Sequence, residues 1–161
     1  MKTKYYEYLE QAKIFHKASE ENWPGNTIKR FLPEILSIIK EKKISSIMDY
    51  GCGKAKNHPK EFAKAYKYDP GVEEFSKKPE AGIIFDLVVS TDVLEHIPEE
   101  NVKEIIDDIF KYSKKWVFLS ICTREAKSFL PNGYNAHATV KPKEWWDNIL
   151  SSKKNFTVRY T

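Results

Sequence analysis

Apolar residues recur along this chain in two rhythms, and the switches between them mark out its elements. Between residues 5 and 17, Tyr5, Leu9, Ala12 and the Phe15/His16 pair fall at helical spacing. Trp23-Pro24-Gly25-Asn26 breaks the pattern. A second helical run follows from Thr27, a residue type that caps helices, through Ile28, Phe31, Leu32, Ile35, Leu36 and Ile39. At residue 44 the period changes. Residues 44–50 read as a buried strand that opens into Gly51-Cys52-Gly53. Residues 59–65 predict a short helix, and 66–68 a short strand closed by Asp69-Pro70. The nearly continuous apolar run at 83–90 is the pattern of a strand covered on both faces. Pro98, followed by Glu99 and Glu100, opens a helix that carries Val102, Ile105, Ile106, Ile109 and Phe110 on one side. A further core strand spans 116–122. After a long loop, Pro142 opens a helix with Trp145, Trp146, Ile149 and Leu150, and 156–160 forms a last strand.

Strands that alternate with helices predict an α/β fold, a mostly parallel Rossmann-like sheet with helices on both faces. The length of 161 residues fits one domain, 1–161, in which residues 1–42 supply helices that cover the site. Only 16 positions separate Asp69 from Phe85. A crossover takes about 10–12 residues by itself, so a full third strand does not fit and a minimal version of the sheet is expected. In such sheets ligands sit outside the carboxyl ends of the strands, which directs attention to residues 49–53, 69, 90–96 and 121–124.

Composition narrows the partners. The net charge is +4, but Arg30, Arg124 and Arg159 are the only arginines and the lysines are interleaved with glutamates, as in Lys40-Glu41-Lys42-Lys43. Nucleic-acid faces usually cluster basic residues and use Arg for paired contacts, so nucleic acid is not the indicated partner. No apolar stretch is long enough to cross a bilayer, and the first residues lack the apolar core of a signal peptide, so no membrane association is expected. Cys52 and Cys122 fall at ends of buried strands and do not make a disulfide framework; a reducing cytoplasm fits best.

Chemistry concentrates at the strand ends. Asp49-Tyr50-Gly51-Cys52-Gly53 lets the backbone turn sharply and approach a ligand. A dinucleotide fingerprint would need a third glycine where Lys56 stands, so nicotinamide and flavin dinucleotides are disfavoured. Asp69 closes the next strand 20 positions after Asp49. A carboxylate there accepts hydrogen bonds from a ribose diol, while Asp69-Pro70-Gly71 is equally a turn signal.

These two segments resemble the first two motifs of class I S-adenosylmethionine-dependent methyltransferases, an acid followed by G-x-G and an acid closing the next strand. The segment from Phe85 through Asp92-Val93-Leu94-Glu95-His96-Ile97 resembles the fourth-strand motif of the branch that modifies small molecules and RNA riboses. Leu130-Pro131-Asn132-Gly133-Tyr134-Asn135-Ala136-His137 and Glu144-Trp145-Trp146 are similar to a bacterial and phage subgroup of that superfamily. The resemblance implies S-adenosylmethionine as cofactor, held by Asp49, Gly51, Cys52, Gly53, Asp69 and Pro70, with Asp92, Val93 and Leu94 lining its pocket. Two departures stand out. Ala55 occupies a position usually held by glycine, and the third strand that helps hold adenine is missing, so Phe75 is the residue expected to face the base.

Asp92-x-x-Glu95-His96 with a distant His137 resembles the Glu-x-x-Glu-His and remote His of metal-dependent small-RNA 3′-end 2′-O-methyltransferases, and a similar element of ubiquinone-pathway O-methyltransferases. That resemblance implies a divalent metal, Mg²⁺, Mn²⁺ or Zn²⁺, held by Asp92, Glu95, His96 and His137. Without a metal, His96 or His137 is the expected general base. Thr91-Asp92-Val93 stands where base-amino methyltransferases carry Pro-Pro-aromatic, which disfavours that class. Neither cysteine sits in a loop suited to a nucleophile. The expected activity is methyl transfer to a small-molecule or terminal hydroxyl. The other readings of the same residues are a non-catalytic S-adenosylmethionine-binding subunit of a larger assembly and an RNA ribose 2′-O-methyltransferase. Tyr5, Tyr6, Trp23 and Tyr134 are candidates for a lid.

Overall fold

A computed structural model describes residues 4–56 and 58–161. Among these residues five parallel strands form one sheet: β1 (Ile47–Tyr50), β2 (Tyr66–Tyr68), β3 (Phe85–Thr91), β4 (Ser113–Ile121) and β5 (Phe156–Tyr160). Their spatial order is β2-β1-β3-β4-β5. The chain therefore leaves β1 in one direction and returns to place β3 on its other side. That reversal opens a crevice at the carboxyl ends of β1 and β3. Among the described residues four α-helices complete the fold: α1 (Lys4–Ala18), α2 (Leu32–Glu41), α3 (Glu99–Lys111) and α4 (Lys143–Leu150).

The period-two rule sorts the sheet into two cores. Val88 of β3 and Val117, Leu119 and Ile121 of β4 pack with Val102, Ile106 and Ile109 of α3 and Trp146 of α4. Leu87, Val89 and Phe118 point the other way, onto Ile28, Ile35 and Ile38 at the α2 side. All seven residues of β3 are buried, as a strand covered on both faces requires. Truncating Phe118, which is fully enclosed, to Ala would cost about 3–5 kcal/mol in lost burial and cavity formation.

Three local expectations change. Residues 59–65 hold only a 3₁₀ turn, Lys60–Phe62; Phe62 is buried in the core while Lys60, Glu61, Ala63 and Lys64 stay exposed, which leaves no helical apolar stripe. Thr27 does not cap an α-helix. Residues Thr27–Phe31 form a 3₁₀ turn, and the α-helix starts at Leu32 with Pro33 in its first turn. Proline has no N–H to give and is tolerated only there, so the continuous apolar pattern is divided at that point. The apolar run at 83–84 precedes the strand, leaving Ile83 and Ile84 about half exposed (48% and 51%).

The short spacing after Asp69 has the expected consequence. Residues 71–84 contain a single 3₁₀ turn, Glu73–Phe75, and β2 is an edge strand. No helix of the structure is long and apolar enough to cross a membrane among the described residues.

Candidate active site

Gly51 and Gly53 adopt φ +84° and +55°, the left-handed region that favours glycine. Space is also refused to a side chain. A Cβ on Gly51 would lie 2.2 Å from Val93 Cγ2, and one on Gly53 would lie 2.7 Å from the Trp23 carbonyl oxygen. The amides of Gly51 and Cys52 donate to the Tyr68 carbonyl at 2.7 and 3.1 Å, which pins the loop to the end of β2. Ala55, in the position flagged above as unusual, takes φ +49° and carries the strain of that conformation.

Asp69 joins the two sides of the crevice. Its Oδ2 accepts from the Gly53 amide at 2.8 Å, and its Oδ1 accepts from the Gly71 amide at 2.8 Å. The Asp-Pro-Gly turn is thus real, and the same carboxylate borders the cavity. Desolvation raises its pKa to about 6 against the two amide hydrogen bonds, with the Asp49 charge adding to the rise. Each carboxylate oxygen keeps a second lone pair for a ligand hydroxyl.

Between this loop and α1 lies a cavity of about 470 Å³, within the range of small-molecule sites. Of the residues expected to hold the cofactor, Gly51, Gly53, Asp69, Pro70, Asp92 and Val93 border it. Three do not. Cys52 is sealed beneath the loop (2% exposed) and Leu94 packs into the α3 core. Asp49 is buried, with His58 Nε2 2.8 Å from its Oδ2 but without hydrogen-bond alignment. Phe75 is also outside the cavity wall, and its carbonyl accepts from the Asp69 amide at 2.9 Å. Among the aromatic lid candidates, Tyr5 and Trp23 line the cavity, whereas Tyr6 and Tyr134 are exposed and do not.

Helix α1 forms the cover. Tyr5, Tyr8, Leu9, Ala12 and His16 lie along one stripe and face the cavity. The Tyr8 hydroxyl donates to the Ala136 carbonyl and approaches the Asn135 carbonyl at 3.3 Å, tying the helix to the long loop after β4. The sequence pattern includes His16 only as the polar end of an apolar helical stripe and assigns it no chemistry. It is 6% exposed and its Nδ1 has no partner among the described residues. Burial, with Lys54 nearby, lowers its pKa to about 4. Its ring begins a row of edge contacts: His16 to Trp23 at 5.1 Å, Trp23 to His96 at 4.7 Å, and His96 to His137 at 4.8 Å.

The expected metal quartet is divided by the backbone. Residues Leu94–His96 form a 3₁₀ turn rather than an α-helical turn, and Asp92 before it has φ +53°. Asp92 lies outside that turn with a left-handed backbone, so the i, i+3, i+4 alignment of an α-helix does not reach it. Asp92 Oδ1 instead accepts from the Ser120 hydroxyl at 2.7 Å. His96 directs Nδ1 at the Ala136 carbonyl, 2.6 Å away, and burial, with His137 beside it, lowers its pKa to about 3. Glu95 is fully enclosed. Its Oε1 accepts from the Cys122 amide at 2.9 Å, and burial with the Asp92 charge holds its carboxyl well above the usual range. His137 Nδ1 meets the Arg124 carbonyl at 2.6 Å. Glu95 and His137 are brought together, and the third residue beside them is Cys122 rather than Asp92 or His96.

A parallel sheet reversing at β1, with a glycine loop and an acid at the next strand end facing one cavity, is the construction of a nucleoside-binding α/β protein. The chain belongs to the class I S-adenosylmethionine-dependent methyltransferases: a family described as a methyltransferase domain matches it over residues 15–156. No curated protein and no solved structure matches it.

Proposed function

We propose that this chain transfers the methyl group of S-adenosylmethionine to a hydroxyl on a small molecule or a chain terminus. The observation that carries the reading is the Asp69 carboxylate, held by the Gly53 and Gly71 amides and bordering a cavity covered on one side by α1. The glycine loop and Asp69 take the adenosyl portion, and Asp92 and Val93 line the path toward the reacting carbon. His96, which burial keeps neutral, or His137, while no ion holds its Nε2, takes the acceptor's proton. Their Nδ1 atoms both face carbonyl oxygens and must carry hydrogen, which leaves each Nε2 with a lone pair.

Methyl transfer is an in-line displacement. The acceptor oxygen loses its proton to an imidazole Nε2, the O–CH₃ bond forms as S–CH₃ breaks, and the electron pair stays on sulfur to give S-adenosylhomocysteine. The sulfonium is already reactive, so positioning and deprotonation are the main demands on the protein. The surface is poor in arginine and interleaves its lysines with glutamates, which favours a small molecule over a nucleic acid. Turnover of S-adenosylmethionine to S-adenosylhomocysteine in the presence of a fractionated small-molecule extract tests the reading. Production above the extract-free rate is expected in the parent and not in His96→Ala. No turnover by a protein that binds the cofactor would favour a non-catalytic binding subunit.

A further inference from the structure

We propose that Glu95, Cys122 and His137 form a zinc site whose remaining coordination position opens into the cavity. One ligand atom from each of the three lies within 4.8 Å of the other two. Zinc–ligand bonds of about 2.0–2.3 Å place tetrahedral ligands about 3.3–3.8 Å apart, so small side-chain rotations bring the three onto one ion. The set mixes a thiolate, an imidazole and a carboxylate. Thiolate and imidazole select zinc over the hard ions Mg²⁺ and Mn²⁺, which prefer oxygen.

Three observations point to a ligand here. Glu95 is 0% exposed, yet its Oε2 has no partner among the described residues, an expensive state for a buried carboxylate oxygen. His137 donates Nδ1–H to the Arg124 carbonyl at 2.6 Å, which fixes the tautomer with the lone pair on Nε2. Backbone carbonyls usually orient metal-ligating imidazoles in this way. The Cys122 amide donates to Glu95 Oε1 at 2.9 Å, so the end of β4 and the 3₁₀ turn after β3 are already locked in the relation the site needs. A thiolate and a carboxylate together balance the charge of Zn²⁺.

Cys122 and His137 border the cavity, whereas Glu95 lies behind them. The open position therefore faces the acceptor's side. Three protein ligands with one open position is the arrangement of catalytic zinc. A hydroxyl bound there is easier to deprotonate, and His96, outside the ligand set, stays available as the base. That use of the ion rests on the methyl-transfer reading; the site itself does not.

Metal binding is tested without turnover. The full chain, stripped with chelator and dialysed against Zn²⁺, should retain one zinc per chain by elemental analysis. Loading with Co²⁺ should give a thiolate-to-cobalt charge-transfer band and the visible spectrum of a tetrahedral ion. Cys122→Ser should abolish the charge-transfer band, and His137→Ala should weaken metal affinity at least tenfold. Cys52→Ser, whose thiol is sealed away from the cavity, and His96→Ala should both keep the band. Circular dichroism of each variant separates loss of a ligand from loss of fold. Absence of stoichiometric zinc, or a cobalt band that survives Cys122→Ser or disappears in His96→Ala, overturns the assignment. If zinc binds as expected but no methyl is transferred, the site stands and the proposed reaction falls.

Discussion

Asp69 carries two duties that its position in the chain expresses separately. As the first residue of an Asp-Pro-Gly turn it accepts the Gly71 amide, and as the acid closing β2 it accepts the Gly53 amide. Both roles were legible as alternatives in the residues, because each follows from local spacing. Their coexistence was not, because the Gly53 contact depends on how the loop folds back. Its raised pKa, about 6, has a consequence for binding. The ionised carboxylate accepts two hydroxyls, whereas the protonated form must spend one oxygen as a donor. Affinity for S-adenosylhomocysteine should therefore be flat above about pH 7 and fall as pH drops through 6 toward 5. Calorimetric titration across that range checks it, and an affinity unchanged down to pH 5 would separate Asp69 from the ligand. The histidines were only half legible at this scale. His96 and His137 stand in recognisable motifs, but His16 is disclosed only by the packing of α1.

At the scale of elements, the strands and the later helices follow directly from periodicity, because β3 and β4 are long and covered on both faces. The short crossovers do not. Residues 59–65 and 94–96 become 3₁₀ turns, and the second of these decides which ligands can meet. An i, i+3, i+4 argument assumes an α-helical turn that includes Asp92, whereas the turn here starts two residues after it, at Leu94. Cys122 reaches Glu95 only through the pairing of β3 with β4, a long-range fact that local spacing does not encode.

The start of β3 is held by a second such contact. Asp86 accepts from the Ser45 amide at 2.9 Å, the Ser45 hydroxyl at 2.8 Å and Lys115 at 3.0 Å. Led by the Ser45 amide bond, these hold its pKa at about 2, below the ordinary value of 3.8. A depressed carboxylate stabilises the fold fully above its unfolded pKa and loses that contribution as pH falls through the folded one. Asp86→Asn should lower Tm at pH 7, and the gap to the parent should close between about pH 4 and pH 2. A gap that persists at pH 2 would mean that the charge is not what Ser45 and Lys115 hold.

For the molecule as a whole, the spacing from Asp69 to Phe85 forecast a sheet that ends at β2, and residues 71–84 hold one 3₁₀ turn in place of a strand. What spacing left open was how so small a sheet closes its site. Helix α1 and the loop after β4 do so together, joined by the Tyr8 hydroxyl at the Ala136 carbonyl. The cavity they enclose, about 470 Å³, has the glycine loop and Asp69 at one side and His96 and His137 at another. The central claim is that this cavity is the cofactor site. Calorimetric titration with S-adenosylhomocysteine at pH 7.5 of the parent and of Asp69→Ala tests it most directly. The variant loses both acceptors for the ribose hydroxyls, each worth about 1.5–3 kcal/mol when charge-assisted. The account predicts one ligand per chain in the parent and at least tenfold weaker binding in a variant that remains folded by circular dichroism. No binding by the parent, or equal affinity in the two proteins, would contradict it.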